Sequence, residues 1–254
     1  MSRAASLAVP LIAVAGVLVA GAARAGAARC WIDRGAVVVA AAFGDIAGDF
    51  ILDASAPRSL LHLTRARSDG IDAPAATRRL VVAGERIDGL EMTVADLDAR
   101  SIGFPTSING VIGDDVLRRF VVEIDFEPCR IVLGRRLPAP WKGATRLAVR
   151  ETGGVPAINA SISDGLTSRA GLFAIDTARA PSRIAAARLS RPARSGAAVR
   201  LRALGLANEI FEQTPAELAP DMKGGVQDSI GTAAWSRWRI RLDLKRGWLD
   251  LAPR

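Results

Sequence analysis

The chain has 254 residues, half of them hydrophobic, which suffices to bury the core of one large domain or of two small ones. Its 34 basic and 26 acidic residues give a formal charge of +8, but the basic residues are scattered along the chain. Because nucleic-acid binding favours a concentrated basic stripe with interleaved aromatic residues, and the chain has no Tyr and only seven Phe and five Trp, we expect no nucleic-acid partner.

Residues 1–25 have the features of a secretory signal peptide. Arg3 precedes an apolar run over residues 7–23, and residues 23–25 fit the small-residue pattern of a signal-peptidase site. An uncleaved membrane anchor is the alternative, although Pro10 and the short, Ala- and Gly-rich run do not favour it. We therefore expect an exported protein, periplasmic or secreted, with no integral membrane segment after signal removal.

The chain has only two cysteines, Cys30 and Cys129, and one histidine, His62. An oxidising compartment favours a disulfide between the cysteines, while two buried free thiols are the alternative. A single histidine excludes a His-rich zinc site, and no nucleophile-elbow, H-E-x-x-H or P-loop motif occurs. We expect no metal and no cofactor, and interpret His62 as an ordinary surface or boundary residue in a short helix.

Apolar runs separated by turn residues predict an all-β chain with few short helices. In the first half, strands are predicted over residues 36–43 and 48–53, and hairpins over residues 79–94, turning at Gly84, and 126–133, around Pro128. In the second half, strands are predicted over residues 156–162 and 171–176, and hairpins over residues 198–211 and 244–251, the latter around Gly247. Short helices are predicted over residues 59–67, 115–120, 183–189 and 233–238.

The proline and glycine content near the middle of the chain predicts a linker over residues 139–143. It separates a first lobe, residues 26–138, from a second lobe, residues 144–254. The two parts carry matching elements, which indicates an internal repeat with a pseudo-two-fold relation. The matched segments align without gaps: residues 48–59 with 171–182, and residues 113–125 with 231–243.

Asp53 and Asp176 stand at matched strand ends of this repeat. A carboxylate beside a buried strand should be paired, hydrogen-bonded or functional, because burying an unpaired charge is costly. If the lobes pair about a two-fold axis, the two carboxyls meet and cannot both be ionised, so one pKa rises and the other falls. Such a pair can activate a water for amide hydrolysis. For either aspartate alone, an Asx-turn is the structural alternative.

These residues resemble the signature of the retropepsin-like and pepsin-like aspartic peptidases, in particular two-lobed bacterial secreted members. The family motif is apolar-apolar-Asp-[Thr/Ser]-Gly, followed in each lobe by apolar-apolar-Gly. Here the second element ends at Gly113 in the first lobe and at Gly231 in the second. The resemblance spans nearly the whole mature chain and implies a two-lobed, acid-protease-like β-barrel fold with Asp53 and Asp176 as catalytic residues. The implied flap hairpins lie around Gly84 and Gly205.

Both motifs depart from the family pattern just after the aspartate. Ala54 and Ser55 follow the first aspartate, and Thr177 and Ala178 follow the second, so neither motif has the family's glycine. In the family, a hydroxyl after each aspartate joins a hydrogen-bond grip between the lobes, of which Ala54 removes one half. The family's glycine lets backbone amides approach the carboxylates, where Ser55 and Ala178 each add a Cβ.

The primary hypothesis is an exported, monomeric aspartic endopeptidase acting on a peptide or protein substrate. The alternative is a catalytically inactive protein of the same fold that binds peptide or envelope polymer in the cleft between the lobes. A purely structural exported β protein is the third reading. Asp125 and Asp243 open the two hairpins beyond the glycine elements, and we interpret them as turn or lobe-packing residues.

Overall fold

A computed structural model describes residues 26–136, 138–139, 141–191, 194–220, 226 and 228–254. The predicted signal peptide therefore lies outside the described residues. We call the parts of the chain before and after the predicted linker lobe one and lobe two. The described residues are mostly β-strand, and none of their helices is long and apolar enough to cross a membrane.

Lobe one contains nine strands and three short helices in its described residues. Its strands are β1 (Gly26–Asp33), β2 (Ala36–Phe43), β3 (Ile46–Leu52), β4 (Leu60–His62), β5 (Ala75–Val82), β6 (Glu85–Ala95), β7 (Ile108–Ile112), β8 (Val121–Phe126) and β9 (Cys129–Gly134). Its helices are α1 (Leu63–Ser68), α2 (Asp98–Ser101) and α3 (Asp114–Leu117).

Lobe two contains ten strands, one α-helix and one 3-10 helix in its described residues. Its strands are β10 (Thr145–Ala148), β11 (Arg150–Thr152), β12 (Val155–Ser163), β13 (Ser168–Ile175), β14 (Ser182–Ala185), β15 (Ala198–Leu206), β16 (Glu209–Ala219), β17 (Asp228–Ile230), β18 (Trp238–Asp243) and β19 (Trp248–Pro253). The helices are the 3-10 turn Ala186–Arg188 and α4 (Thr232–Trp235).

The strands form two sheets. One has twelve strands in the order β10-β19-β18-β8-β9-β1-β2-β3-β7-β4-β6-β5, and the other has seven in the order β11-β12-β13-β17-β14-β16-β15. The lobes share the first sheet, because β18 pairs with β8 and places Ile240 opposite Ile124. The hairpins β8–β9 and β18–β19 thus join the lobes, and Asp125 and Asp243 each accept a backbone N–H within the turn of their own hairpin.

Strand β2 shows why the predicted apolar runs form interior strands. Val37 and Val39 pack into the main core, while Val38 on the opposite face packs with Ile51 into a smaller cluster. Because both faces are covered, the strand is nearly continuously apolar rather than alternating. The same layering holds β3 in the interior, with Phe50 facing the main core.

Two of the four predicted helices are wrong in their first half. Residues 59–67 begin as strand β4 and become helical only in α1, and residues 183–189 begin as strand β14 and continue as the 3-10 turn. In each case the apolar start lies between two strands: β4 between β7 and β6, and β14 between β17 and β16. Strand pairing thus overrides the helix propensity of these Ala-, Leu- and Arg-rich segments. The other two predicted helices, α3 and α4, begin one residue earlier and end three residues earlier than expected, and Trp238 at the predicted end of the last one begins β18.

The predicted disulfide between Cys30 and Cys129 is confirmed. It links β1 to β9, with the two Cα atoms 4.9 Å apart and 99 residues apart in sequence. These strands are already paired through Ala28 and Ile131. The cross-link therefore ties the first strand of lobe one to the sheet that both lobes share.

Candidate active site

Asp53 lies directly after β3, where the chain leaves the sheet. Strand β3 runs parallel to β7, and the Asp53 backbone N–H donates to the carbonyl of Ile112 at 2.9 Å. The carboxyl is 3% exposed, and its Oδ1 accepts hydrogen bonds from the Ser55 backbone N–H at 2.8 Å and from the Ser55 hydroxyl at 2.6 Å. Its Oδ2 forms an ion pair with the Arg100 guanidinium, which comes from α2. Every oxygen of this carboxylate thus has a donor.

Asp176 occupies the matching position in lobe two. Strand β13 runs parallel to β17, and the Asp176 N–H donates to the carbonyl of Ile230 at 3.1 Å. Its carboxyl accepts the Ala178 N–H at 2.9 Å on Oδ1 and the Ser229 hydroxyl at 3.3 Å on Oδ2. Arg179 Nε lies 3.3 Å from the same Oδ2. The two aspartates therefore share one backbone frame but have different side-chain partners.

One hydroxyl links the two aspartate loops. Thr177 Oγ1 donates to the Leu52 carbonyl at 2.6 Å and accepts the Ala54 N–H at 3.0 Å. The Thr177 carbonyl in turn accepts the Val37 N–H at 2.9 Å. Ala54 is fully buried and has no hydroxyl with which to reciprocate. Both of these hydrogen bonds therefore use a hydroxyl of lobe two, and lobe one has no matching hydroxyl at Ala54.

The residues that replace the motif glycines do not keep the backbone away from the carboxylates. Ser55 and Ala178 each carry a Cβ, yet the N–H of each donates to the aspartate two residues before it. Ser55 adds a hydroxyl to the same contact. The backbone N–H groups thus still reach the carboxylates, although small side chains stand where the motif has glycine.

Gly113 and Gly231 support the loops from beneath. A Cβ on Gly113 would lie 2.7 Å from the Ala56 carbonyl oxygen, and one on Gly231 would lie 2.5 Å from the Ala180 carbonyl oxygen. Each glycine N–H also donates to a serine hydroxyl, at 3.0 Å to Ser59 Oγ in lobe one and 3.2 Å to Ser182 Oγ in lobe two. The aspartate loops rest directly on these two glycines, so a side chain would push them away.

The two aspartates line one cavity of about 650 Å³ between the lobes. Burial, together with the negative charge of Asp53, raises the pKa of Asp176 to about 6, against the opposing effect of the Ala178 N–H and Arg179. Asp176 is therefore protonated in mildly acidic solution. Asp53, in contrast, is contacted by the Arg100 guanidinium and the Ser55 hydroxyl.

Asp228 is a third carboxylate in this cavity, and sequence reasoning missed it. Burial raises its pKa, while the Ala185 N–H at 2.8 Å and Arg188 Nε at 3.1 Å oppose that shift. The matching lobe-one position is Gly110, so this carboxylate occurs in lobe two alone. The signal that could have drawn attention to it is an aspartate three residues before Gly231, at the position where lobe one has Gly110.

The predicted flap residues do not line the cavity. Gly84 is at the turn of the β5–β6 hairpin as expected. A Cβ on Gly84 would lie 3.8 Å from the Gly26 Cα at the start of β1, away from the cavity lining. Gly205 lies inside β15, opposite Ser161, and the hairpin turns later, at Ala207 and Asn208. A flap function for these hairpins stays a prediction.

The segment that reaches the aspartates from lobe one is α2, which the sequence did not predict. Its Arg100 pairs with Asp53, and its first residue, Asp98, lies 3.2 Å from His62 Nε2. His62 is buried at the end of β4 rather than on the surface, and it does not line the cavity. The single histidine therefore lies beside the first residue of the helix that carries Arg100.

The site combines a buried acid, a neighbouring carboxylate paired with an arginine, and room for a ligand. These are the parts needed to activate a water against a carbonyl without a covalent intermediate. Of the residues predicted for the site, the structure brings both aspartates, Ser55 and Ala178 to the cavity wall. It adds Arg100, Arg179 and Ser229 as direct partners of the carboxylates.

No protein-family model matches the chain, and no curated protein sequence matches it. Among solved structures, the chain is similar to the aspartic proteinase from Irpex lacteus, with a TM-score of 0.60 and 15% sequence identity. The match covers 91% of this chain and 97% of that one. At this identity the likeness shows the fold alone. It confirms the predicted all-β, two-lobed fold of the aspartic proteinases.

Proposed function

We propose that the protein is an exported aspartic-type endopeptidase that hydrolyses peptide bonds with a water activated by Asp53 and Asp176. One observation carries the proposal: two buried aspartates, one from each lobe, line the same cavity, and the charge of one raises the pKa of the other. The fold of an aspartic proteinase, seen in the Irpex lacteus enzyme, supports it. The peptide or protein substrate would occupy the cavity.

The asymmetry of the two loops assigns a role to each aspartate in this proposal. Asp53, paired with Arg100, is the base that accepts a proton from the water, whose oxygen bonds to the carbonyl carbon. Asp176, protonated below about pH 6, donates its proton to the carbonyl oxygen. Asp53 then passes its proton to the amide nitrogen, the C–N bond breaks, and Asp176 regains a proton from a hydroxyl of the intermediate. The products are a carboxylic acid and an amine.

Location, quaternary state and lobe organisation follow as parts of the same proposal. The Cys30–Cys129 disulfide favours an oxidising compartment, periplasmic or extracellular, in agreement with the predicted signal peptide. Both aspartates belong to one chain, so a monomer suffices to form the dyad. We also retain the repeat of two homologous lobes over residues 26–138 and 144–254, joined by a linker at residues 139–143.

One observation favours the second candidate function, a protein of this fold that binds peptide or envelope polymer without cutting it. Each carboxyl of the pair contacts an arginine, Asp53 through Arg100 and Asp176 through Arg179. A cation beside a carboxylate stabilises its charge and so weakens it as a base, and two of them oppose the sharing of one proton. Turnover would then be slow even where binding is strong.

Cleavage by the purified chain separates these two functions. We expect a library of blocked peptides to be cleaved between about pH 3 and 6, with the rate falling as pH rises through the Asp176 pKa of about 6. Asp53→Asn and Asp176→Asn should each lower the rate by roughly a hundredfold to ten-thousandfold, because each removes one partner in proton transfer. Asp125→Asn, in a hairpin turn, is the matched control and should cut normally. Cleavage that survives in both dyad variants would refute the proposal, and binding without cleavage would favour the second candidate.

A further inference from the structure

The cavity has more arginine than carboxylate side chains, so ion pairing does not neutralise all of its positive charge. Three carboxylates line it, and each already contacts an arginine: Asp53 contacts Arg100, Asp176 contacts Arg179, and Asp228 contacts Arg188. Two further arginines line the same cavity, Arg58 from lobe one and Arg183 from lobe two. The described part of the cavity therefore has more guanidinium groups than carboxylates to neutralise them.

Of these two arginines, Arg183 is the better candidate for binding an anionic ligand. Among the described residues it has no ion pair, and its Nε is buried without a hydrogen-bond partner. Arg58 lies 4.0 Å from Glu91, but both side chains are largely exposed, at 74% and 61%, so this pair is worth little. A guanidinium without an anionic partner gains favourable charge-assisted hydrogen bonds when a ligand in the cavity supplies a carboxylate.

The position of Arg183 places it next to the dyad. It lies on β14, opposite Ser229 of β17, and the Ser229 hydroxyl donates to Asp176. The matching position in lobe one is Leu60, which lies on β4 opposite Val111 and also lines the cavity. The two lobes thus present different side chains at one structural position, an aliphatic one from lobe one and a cationic one from lobe two.

We propose that Arg183 is a specificity residue that selects acidic peptides, binding a Glu or Asp side chain of the substrate while Leu60 contacts an apolar side chain from the other lobe. The proposal rests on the peptidase function above and names the substrate class of that site. A guanidinium and a carboxylate form two parallel hydrogen bonds with fixed geometry, which a neutral amide cannot match in charge. The preference should weaken as salt concentration rises, because the cavity is partly open to solvent.

The test uses blocked octapeptides of Ala, Val, Leu and Phe that carry one Glu, moved through the eight positions, and matched peptides that carry Gln instead. All are acetylated and amidated, so the Glu side chain is the only carboxylate. We measure kcat/KM at about pH 5, where Glu is mostly ionised. We expect at least one Glu position to be preferred over Gln by about tenfold, the size of one charge-assisted contact.

Variants assign the preference to Arg183. Arg183→Gln should abolish the preference for Glu while the Gln peptides are still cleaved, and Arg183→Lys should keep part of it. The matched control is Arg202→Gln, which removes an exposed arginine of the same lobe from β15 and should keep the full preference. A preference that persists in Arg183→Gln would overturn the proposal, as would equal rates for Glu and Gln peptides in the wild-type protein.

A second readout keeps this proposal distinct from the peptidase function. If the wild-type protein cuts none of the peptides, their binding is measured by calorimetry. Tighter binding of the Glu peptides, lost in Arg183→Gln, would support the acidic specificity while refuting hydrolysis. Equal cleavage of the Glu and Gln peptides would support hydrolysis while refuting the acidic specificity. Peptides without Glu but with a free carboxyl terminus test the other source of carboxylate, and a preference for these over internal Glu would overturn the side-chain assignment.

Discussion

The two aspartate loops have the same backbone frame and different electrostatic surroundings. In each, a strand end donates its N–H to a neighbouring parallel strand, and a glycine element lies directly beneath. Asp53 is held by its own loop through Ser55 and by Arg100, a residue 47 positions away. Asp176 has weaker side-chain contacts, with Ser229 and with Arg179 of its own turn, both at 3.3 Å.

This difference shows how a symmetric frame can give two equivalent residues different chemistry. Each carboxylate has three donors, but the side-chain contacts of Asp53 are shorter, while burial and the charge of Asp53 raise the pKa of Asp176. Lobe two contributes the crossing hydroxyl of Thr177, and lobe one returns only the methyl group of Ala54. The division into base and acid thus comes from side chains that the internal repeat does not share.

The largest expected effect concerns the stability of the protonated Asp176. Its folded-state pKa of about 6 lies above the ordinary value of 3.8, so the folded protein binds this proton more tightly than the unfolded chain does. This contribution is fully present below about pH 4 and is lost as pH rises through 6. Relative to Asp176→Asn, the wild-type free energy of unfolding should fall by on the order of 3 kcal/mol between pH 4 and 7.

Urea unfolding of both proteins across this pH range measures the difference, in which the titration of other buried carboxylates largely cancels. Asp164→Asn is the control of opposite sign, because backbone N–H donors in an exposed turn lower the Asp164 pKa. Its stabilisation is lost as pH falls rather than as it rises. Parallel curves for the wild type and Asp176→Asn would contradict the asymmetry between the aspartates.

The glycine elements test whether the frames beneath the two loops are equivalent. Gly113→Ala and Gly231→Ala should each destabilise the protein by about 2 to 3 kcal/mol, because the added methyl group meets backbone carbonyl atoms within 2.7 Å. Gly70→Ala is the control, since a Cβ there meets nothing within 4 Å and adds only the cost of a left-handed backbone. Thermal unfolding of the three variants measures these losses of stability. A large loss in the variant of one lobe alone would show that the two frames are not equivalent.

Because the Thr177 hydroxyl links the two aspartate loops, Thr177→Ala should destabilise the protein. Removing its hydroxyl leaves the Ala54 N–H and the Leu52 carbonyl without their partner, at a cost of about 2 kcal/mol. Thr177→Ser keeps the hydroxyl and should restore most of that stability, which separates the hydrogen bonds from packing. Thr77→Ala, on the exposed face of β5, is the matched surface control. If Thr177→Ala unfolds at the wild-type denaturant concentration, the loops are held by other contacts.

The smallest effect concerns Arg100. Replacing it with Gln leaves the buried Asp53 carboxylate without its cation, and because Arg100 is partly exposed, the free energy of unfolding measured with urea should fall by only about 1 kcal/mol. Arg86→Gln, an exposed arginine of β6, is the control for the loss of one positive charge. An unchanged free energy of unfolding in Arg100→Gln would mean that the ion pair does not stabilise the Asp53 loop.

Much of the frame of the site could be predicted from local sequence patterns. Apolar runs of strand length, each ending in an aspartate, predicted β3 and β13 and placed Asp53 and Asp176 where the chain leaves the sheet. Turn residues located the hairpins between β5 and β6 and between β8 and β9. These features depend on residues close together in the chain, so their patterns are readable without the tertiary structure.

The sequence by itself determined the β class, the matched aspartates and the cysteine pair. Only the tertiary structure decided which side chains surround the aspartates. Arg100 belongs to a four-residue helix with no periodic pattern, and it contacts Asp53, which lies 47 residues before it in the chain. The strands β4 and β14 were read as helices because their pairing partners lie far away in the chain. An ion pair or a strand pairing of this kind depends on where the folded chain crosses itself, and a local pattern contains no information about that crossing.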